Sequence, residues 1–129
     1  MWKIKLKVFW TLFYIDYMLN KRGLKNTCEY MKSQKLKVKK VLSRDIEDIC
    51  TLCNVINTAC TKHLLKNKAL CLHQSLVGFY ILTKMGYDIR LCIGVSKKNF
   101  MAHAWLEYKG YIVNDTQDIK ETHNILFSI

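Results

Sequence analysis

The chain has 129 residues, half of them hydrophobic, with no proline, five glycines and a formal net charge of +11. That is room for one domain with a real core, and it excludes a disordered chain or a loop-rich scaffold. The lysine excess reads as a solvated face; no nucleic-acid motif surrounds its densest run, KSQKLKVKK at 32–40, so a nucleic-acid function is not expected.

Residues 1–20 are the most apolar segment. The uncharged run 8–15 is too short to span a bilayer, and Asp16 interrupts it. Trp10, Phe13, Tyr14, Tyr17 and Met18 follow helical spacing, which predicts a helix buried in the core or against a partner. The alternative is contact with a membrane surface, because Lys3, Lys5 and Lys7 flank the aromatic residues. Gly23 is expected to break this helix. A short second helix is expected over 24–31, with 32–40 as a basic connector.

Ser43 is a candidate N-cap, and Asp45 and Glu47 suit the positive end of a helix dipole. Ile46, Ile49, Cys53, Ile56, Cys60 and Leu64 then recur at three- and four-residue steps, predicting an amphipathic helix over about 44–65. Cys50-x-x-Cys53 and Cys60-x-x-His63 have the residue types of a zinc site. No breaker separates the pairs, so the expectation is core cysteines, no metal, and His63 at the surface or capping the helix. No secretory signal precedes the six cysteines, which fits free thiols in a reducing cytoplasm.

The stretch 71–86, CLHQSLVGFYILTKMG, is apolar nearly all round and predicts a buried helix that ends at Gly86. Cys71 stands on its first turn, where unpaired N–H groups and the dipole favour a thiolate. Ile89, Leu91, Ile93 and Val95 then alternate, predicting a strand; 96–99 form a polar turn; 100–107 and 111–114 make two further strands. A three-residue loop, Tyr108-Lys109-Gly110, is expected to pair Glu107 with Tyr111 and so set His103 opposite Asp115. A two-residue turn would instead pair His103 with Thr116. The tail 116–129 offers Ile119, Ile125, Leu126 and Phe127 for packing, as a short helix.

A cysteine opening a helix, a histidine on a following strand and a carboxylate on the next can form a nucleophilic triad, with the helix N-terminus to hold an oxyanion. His73 competes with His103 as the base, and Asn114 and Asp118 compete with Asp115 as the orienting group. Trp105 belongs either to ordinary core packing or to a shield over the His–Asp pair.

From about Leu70 to Asp115 the chain resembles the transglutaminase-like leader peptidases of lasso-peptide biosynthesis. The residues that carry this are CLHQSLVGFYILTKMGYDIRLCIGV, AHAWLEYKG and IVND, in that order and spacing. Gln74 departs from the pattern, standing where relatives often carry a basic residue. The resemblance implies Cys71 as nucleophile, His103 as general base and Asp115 as orienting acid, with no cofactor. It implies an α+β fold, a helical N-terminal half packed on a small antiparallel sheet, with a papain- or transglutaminase-like core. One domain over 1–129 is expected, with a helical part at 1–65 and a catalytic core at 66–129. The implied task is removal of the leader from a lasso-peptide precursor, so that an ATP-dependent cyclase can join the freed amine to an acidic side chain. About 70 residues precede Cys71 and read as helical, so a separate leader-recognition protein is expected as partner. Two other readings stay open: acyl transfer to an amine on the same fold, and a non-enzymatic basic binding module.

Overall fold

The architecture follows from one helix that is buried almost on every side. In the computed structural model, which describes residues 2–38, 41–67 and 71–129, helix α3 spans Cys71–Lys84. It touches both other long helices, α1 (Trp2–Leu36) and α2 (Ile46–Thr61), and the two central strands, β1 (Ile89–Ser96) and β2 (Ala102–Tyr108). Leu76, Val77, Phe79 and Leu82 are wholly buried, as the all-round apolar sequence predicts. Strands β3 (Tyr111–Ile112) and β4 (His123–Ser128) complete an antiparallel sheet in the order β3-β2-β1-β4, and a short α4 (Ile119–Thr122) precedes β4. The result is α+β, three helices on one face of a small antiparallel sheet.

Several expectations are corrected. Gly23 does interrupt the first helix, at φ 76° and ψ 172°, but the second segment continues through Leu36 and absorbs the start of the expected connector. Lys39 and Lys40, its end, and Leu70 lie outside the described residues. The buried stripe of α1 is Val8, Leu12, Ile15 and Met18, while Trp10 is 64 % exposed and Tyr14 and Tyr17 also face outward. Helix α2 is shorter than the periodicity suggests. Its N-cap is Asp45, not Ser43, whose hydroxyl instead accepts a hydrogen bond from Lys109 Nζ at 2.7 Å. His63 is not a surface residue: it is 5 % exposed, packed against Phe9 and Phe13. Its Nδ1 accepts from the Leu65 N–H at 2.9 Å, so Nε2 carries the proton and donates to the Phe9 carbonyl at 2.9 Å. The tail does hold a short helix, α4, but its last residues form the strand β4, and only Ile119 of its apolar residues is buried.

The hairpin register also differs. Tyr108 pairs with Tyr111 and Glu107 with Ile112, so the turn has two residues, Lys109 and Gly110. Both have positive φ, 52° and 84°, the conformation of a type I′ turn whose twist suits adjoining strands. No helix among the described residues is long and apolar enough to cross a membrane.

Candidate active site

The helix and the sheet bring their functional ends together through a seam of small and polar side chains. One turn after Cys71, the buried Ser75 donates its hydroxyl to the Ala104 carbonyl at 3.1 Å. One turn further, Gly78 lies so close to β2 that a Cβ there would come within 2.8 Å of Leu106 Cδ1. Helix and strand therefore run in the same direction. The start of α3 and the start of β2 lie at one end of the sheet, Cys71 on the first, His103 on the second. Cys71 is half-buried, not sealed in the core.

Asp115 reaches His103 by a route the register alone forbids. The two-residue turn would set it opposite Ala104 and turn it to the other face, but the β3 ladder stops at Ile112. Val113 N–H still bonds to the Leu106 carbonyl at 3.0 Å. The Leu106 N–H, however, goes to the side-chain Oδ1 of Asn114 at 2.8 Å. The Asn114 amide donates in turn to Ser75 Oγ at 3.0 Å. This side chain takes the place of a strand carbonyl, bends the chain off β2, and ties it to α3. Asp115 Oδ2 then lies 2.6 Å from His103 Nε2, and Oδ1 accepts the Thr116 N–H at 2.8 Å. Their side chains are 23 % and 30 % exposed.

With Nε2 donating to the carboxylate, the tautomer of His103 is set and Nδ1 is left as the basic nitrogen. Trp105 both fills the core and covers the imidazole: it is 1 % exposed, stacked on His103 at 6.1 Å and 24°. Its Nε1 donates to the buried Glu107 carboxylate at 3.1 Å, which Arg90 meets from the solvent side at 3.4 Å.

The competing residues go elsewhere. His73 Nε2 lies 3.2 Å from Asp16 Oδ1 on α1. Asp118 accepts from the Thr116 hydroxyl and stands just before α4. The structure brings His103 and Asp115 together; among the described residues, the Cys71 thiol makes no hydrogen bond to either. Burial pushes the thiols of Cys53, Cys60 and Cys92 up to about 12 and that of Cys28 to about 11; Cys50 is raised as well, again chiefly by burial. These are thiols kept protonated by their surroundings. Among the described residues, no cluster of metal-ligating side chains occurs.

One nearby residue had no signal in the sequence. His123 opens β4, and its ring lies 5.4 Å from that of His103 and 5.9 Å from that of Trp105. Only the fold of the tail, which reads as a helix, places it there.

The comparisons with known proteins give the chain a family. The family model of the transglutaminase-like superfamily matches residues 10–128, and the chain belongs to that superfamily. Over 75 residues the chain is 29 % identical to the microcin J25-processing protein McjB of Escherichia coli. That match covers 58 % of this chain and 36 % of the relative, so the chain matches about a third of that protein's length. No solved structure gives a significant match.

Proposed function

We propose that this transglutaminase-like chain is a cysteine peptidase that removes the leader from a ribosomally made lasso-peptide precursor, with Cys71, His103 and Asp115 as its triad. The observation that carries the reading is the 2.6 Å contact between His103 and Asp115 at the end of the sheet where α3 begins with Cys71. The resemblance of the 71–115 motifs to leader peptidases supports it, as does a curated relative named as a processing protein.

In this reading His103 Nδ1 takes the proton of Cys71 Sγ, and Asp115 holds the imidazolium so formed. The thiolate attacks the scissile carbonyl. The negative oxygen of the tetrahedral intermediate is stabilised by backbone N–H groups at the start of α3, the Cys71 N–H among them. Collapse breaks the C–N bond. The core peptide leaves as an amine with the proton from Nδ1, and the leader stays on sulfur as a thioester. Water, deprotonated by Nδ1, then releases the leader as a free acid and returns the thiol. The sulfur and imidazole need not touch before substrate binds, since catalytic hydrogen bonds often tighten only in the substrate complex. A separate leader-recognition protein and a cyclase are the partners this role calls for.

The test is to incubate precursor and leader-binding partner with the chain and weigh the products. A free leader acid and a free core amine are expected, and an amide-linked product would instead mark acyl transfer. Cys71→Ala is expected to abolish cleavage with the thermal unfolding curve unchanged. Undiminished cleavage by that variant overturns the proposal.

A further inference from the structure

We propose that the open edge of β4 takes up an extended, acidic peptide segment as an added strand and leads it toward the end of the sheet that holds His103. The inference rests on the peptidase reading only for why a peptide should be led there.

Among the described residues β4 is an outer strand, paired only with β1. Leu91 and Ile129 exchange both backbone hydrogen bonds at 3.0 Å, and Ile93 pairs with Phe127. In an antiparallel ladder such inward residues alternate with outward ones, so the N–H and C=O of Ser128 point away from β1. The register shifts between Ile93 and Gly94, and Leu126 falls in that bulge with no partner on β1. An open edge is normally blunted by charge or cover. This one instead carries Ile125, Leu126 and Phe127, with Leu126 63 % exposed. Unpaired backbone supplies affinity for an extended peptide, and alternate pockets supply selectivity.

Both kinds of pocket are present. On the helix side, Phe127 and Ile129 face Leu24, Lys25, Cys28 and Lys32 of α1 across a groove of about 530 Å³. On the other face, Ile125 and Asn124 join Lys97, Lys120 and Trp105 around a second groove of about 420 Å³. Four lysines line the two grooves, against Glu29 in the first and Glu107 in the second, and Glu107 is already paired with Arg90. The complement is a strand of apolar residues alternating with acidic ones. A second copy of this chain would bring the same lysines to the same edge, so charge opposes self-pairing.

The direction follows from where β4 begins. His123 is its first residue, paired with Ser96, with its ring 5.4 Å from His103. A segment laid along His123–Ser128 travels about 17 Å, at ~3.4 Å per residue, and arrives at the end of the sheet where His123 stands, with β4 and β1 between it and His103 on β2.

The probe is a synthetic peptide of about ten residues alternating leucine and glutamate, long enough to cover β4. Binding is measured by fluorescence anisotropy, and backbone amide exchange by NMR, both on the Cys71→Ala chain so that nothing is cut. The expected result is saturable binding with slowed exchange of the Ser128 amide. Ser128→Pro removes that outward donor without touching a β1 bond and should weaken binding by about tenfold or more. The pair Lys25→Glu with Lys32→Glu should weaken it by a similar factor and favour a leucine–lysine peptide, which decides the matter if the proline variant does not fold. No binding at peptide on the order of 1 mM, or binding without protection at Ser128, overturns the proposal. So does protection that needs no peptide and grows with protein concentration, since that is self-pairing. Binding is read without cleavage, so failure here leaves the peptidase reading standing, and failure of cleavage leaves this result standing.

Discussion

Among the described residues there are two histidine–aspartate pairs, and they are not equivalent. His103 and Asp115 meet at 2.6 Å on a strand start and the bend after β3. His73 and Asp16 meet at 3.2 Å between two helices, each side chain 16 % exposed. His73 is the nearer to Cys71 in sequence, but two residues turn it about 200° around the helix, away from the cysteine. It ties α3 to α1. His103 keeps Nδ1 for other use, and among the described residues no hydrogen bond reaches that nitrogen. Pairing with a carboxylate thus marks neither histidine as a base; under the proposed function, the place of the pair in the fold does.

The largest test of this difference is substitution of each histidine in turn. His103→Ala should lower kcat/KM for precursor cleavage by about 10³-fold or more, as loss of a triad base does, with little change in thermal unfolding. His73→Ala should leave kcat within a few-fold and lower stability by about 1–2 kcal/mol, the usual cost of a partly buried polar contact. Cleavage assays and melting curves on the two variants read both numbers. The opposite pattern would move the base to His73.

A smaller effect is expected at Asn114, which acts on one pair only. Asn114→Ala leaves the Leu106 N–H and the Ser75 hydroxyl short of partners, at about 1–3 kcal/mol, and releases the bend that presents Asp115. The expected loss in kcat is on the order of 10–100-fold, with KM little changed, because misplacement by about 1 Å is enough. Asn114→Asp keeps the acceptor for Leu106 and should recover part of it. In NMR spectra the imidazole signals of His103 should shift and those of His73 should stay. Equal shifts at both would mean a merely global disturbance.

Much of this frame is legible in the sequence, for reasons that can be named. The all-round apolarity of 71–86 and its closing glycine define α3, and the alternation at Ile89, Leu91 and Ile93 defines β1. The contact between His103 and Asp115 is also foreseen, though by a wrong route. A three-residue loop is expected because Gly110 alone signals positive φ; the turn has two residues because Lys109 takes positive φ as well, which a lysine does not advertise. The contact survives because Asn114 replaces a strand carbonyl, and only the tertiary neighbour Ser75 gives that side chain its purpose. His63 is buried by Phe9 and Phe13, 54 and 50 positions away in sequence, beyond the reach of any local pattern. β4 is missed because a bulge breaks the two-residue period of its apolar residues.

The smallest effect separates the two regions by their thiols. Three of the four strongly raised cysteines lie in the helical region, Cys28 on α1 and Cys53 and Cys60 on α2; the fourth, Cys92, lies under Trp105 in the sheet. In the unfolded chain such a thiol loses its proton near its ordinary value of 9.0, whereas burial holds Cys53 and Cys60 protonated to about 12. Between those limits the folded chain binds more protons than the unfolded one, so stability falls as pH rises. The stabilisation is complete below pH 9 and lost on the way to pH 12. Melting temperatures should therefore drop on the alkaline side while holding steady below it, as far as thiols govern them. Cys53→Ala with Cys60→Ala should flatten that alkaline slope more than Cys92→Ala does, because it removes two of the raised groups and not one. An equal slope in all three proteins would mean that these thiols already ionise in the fold, and that the helical half is looser than its packing implies.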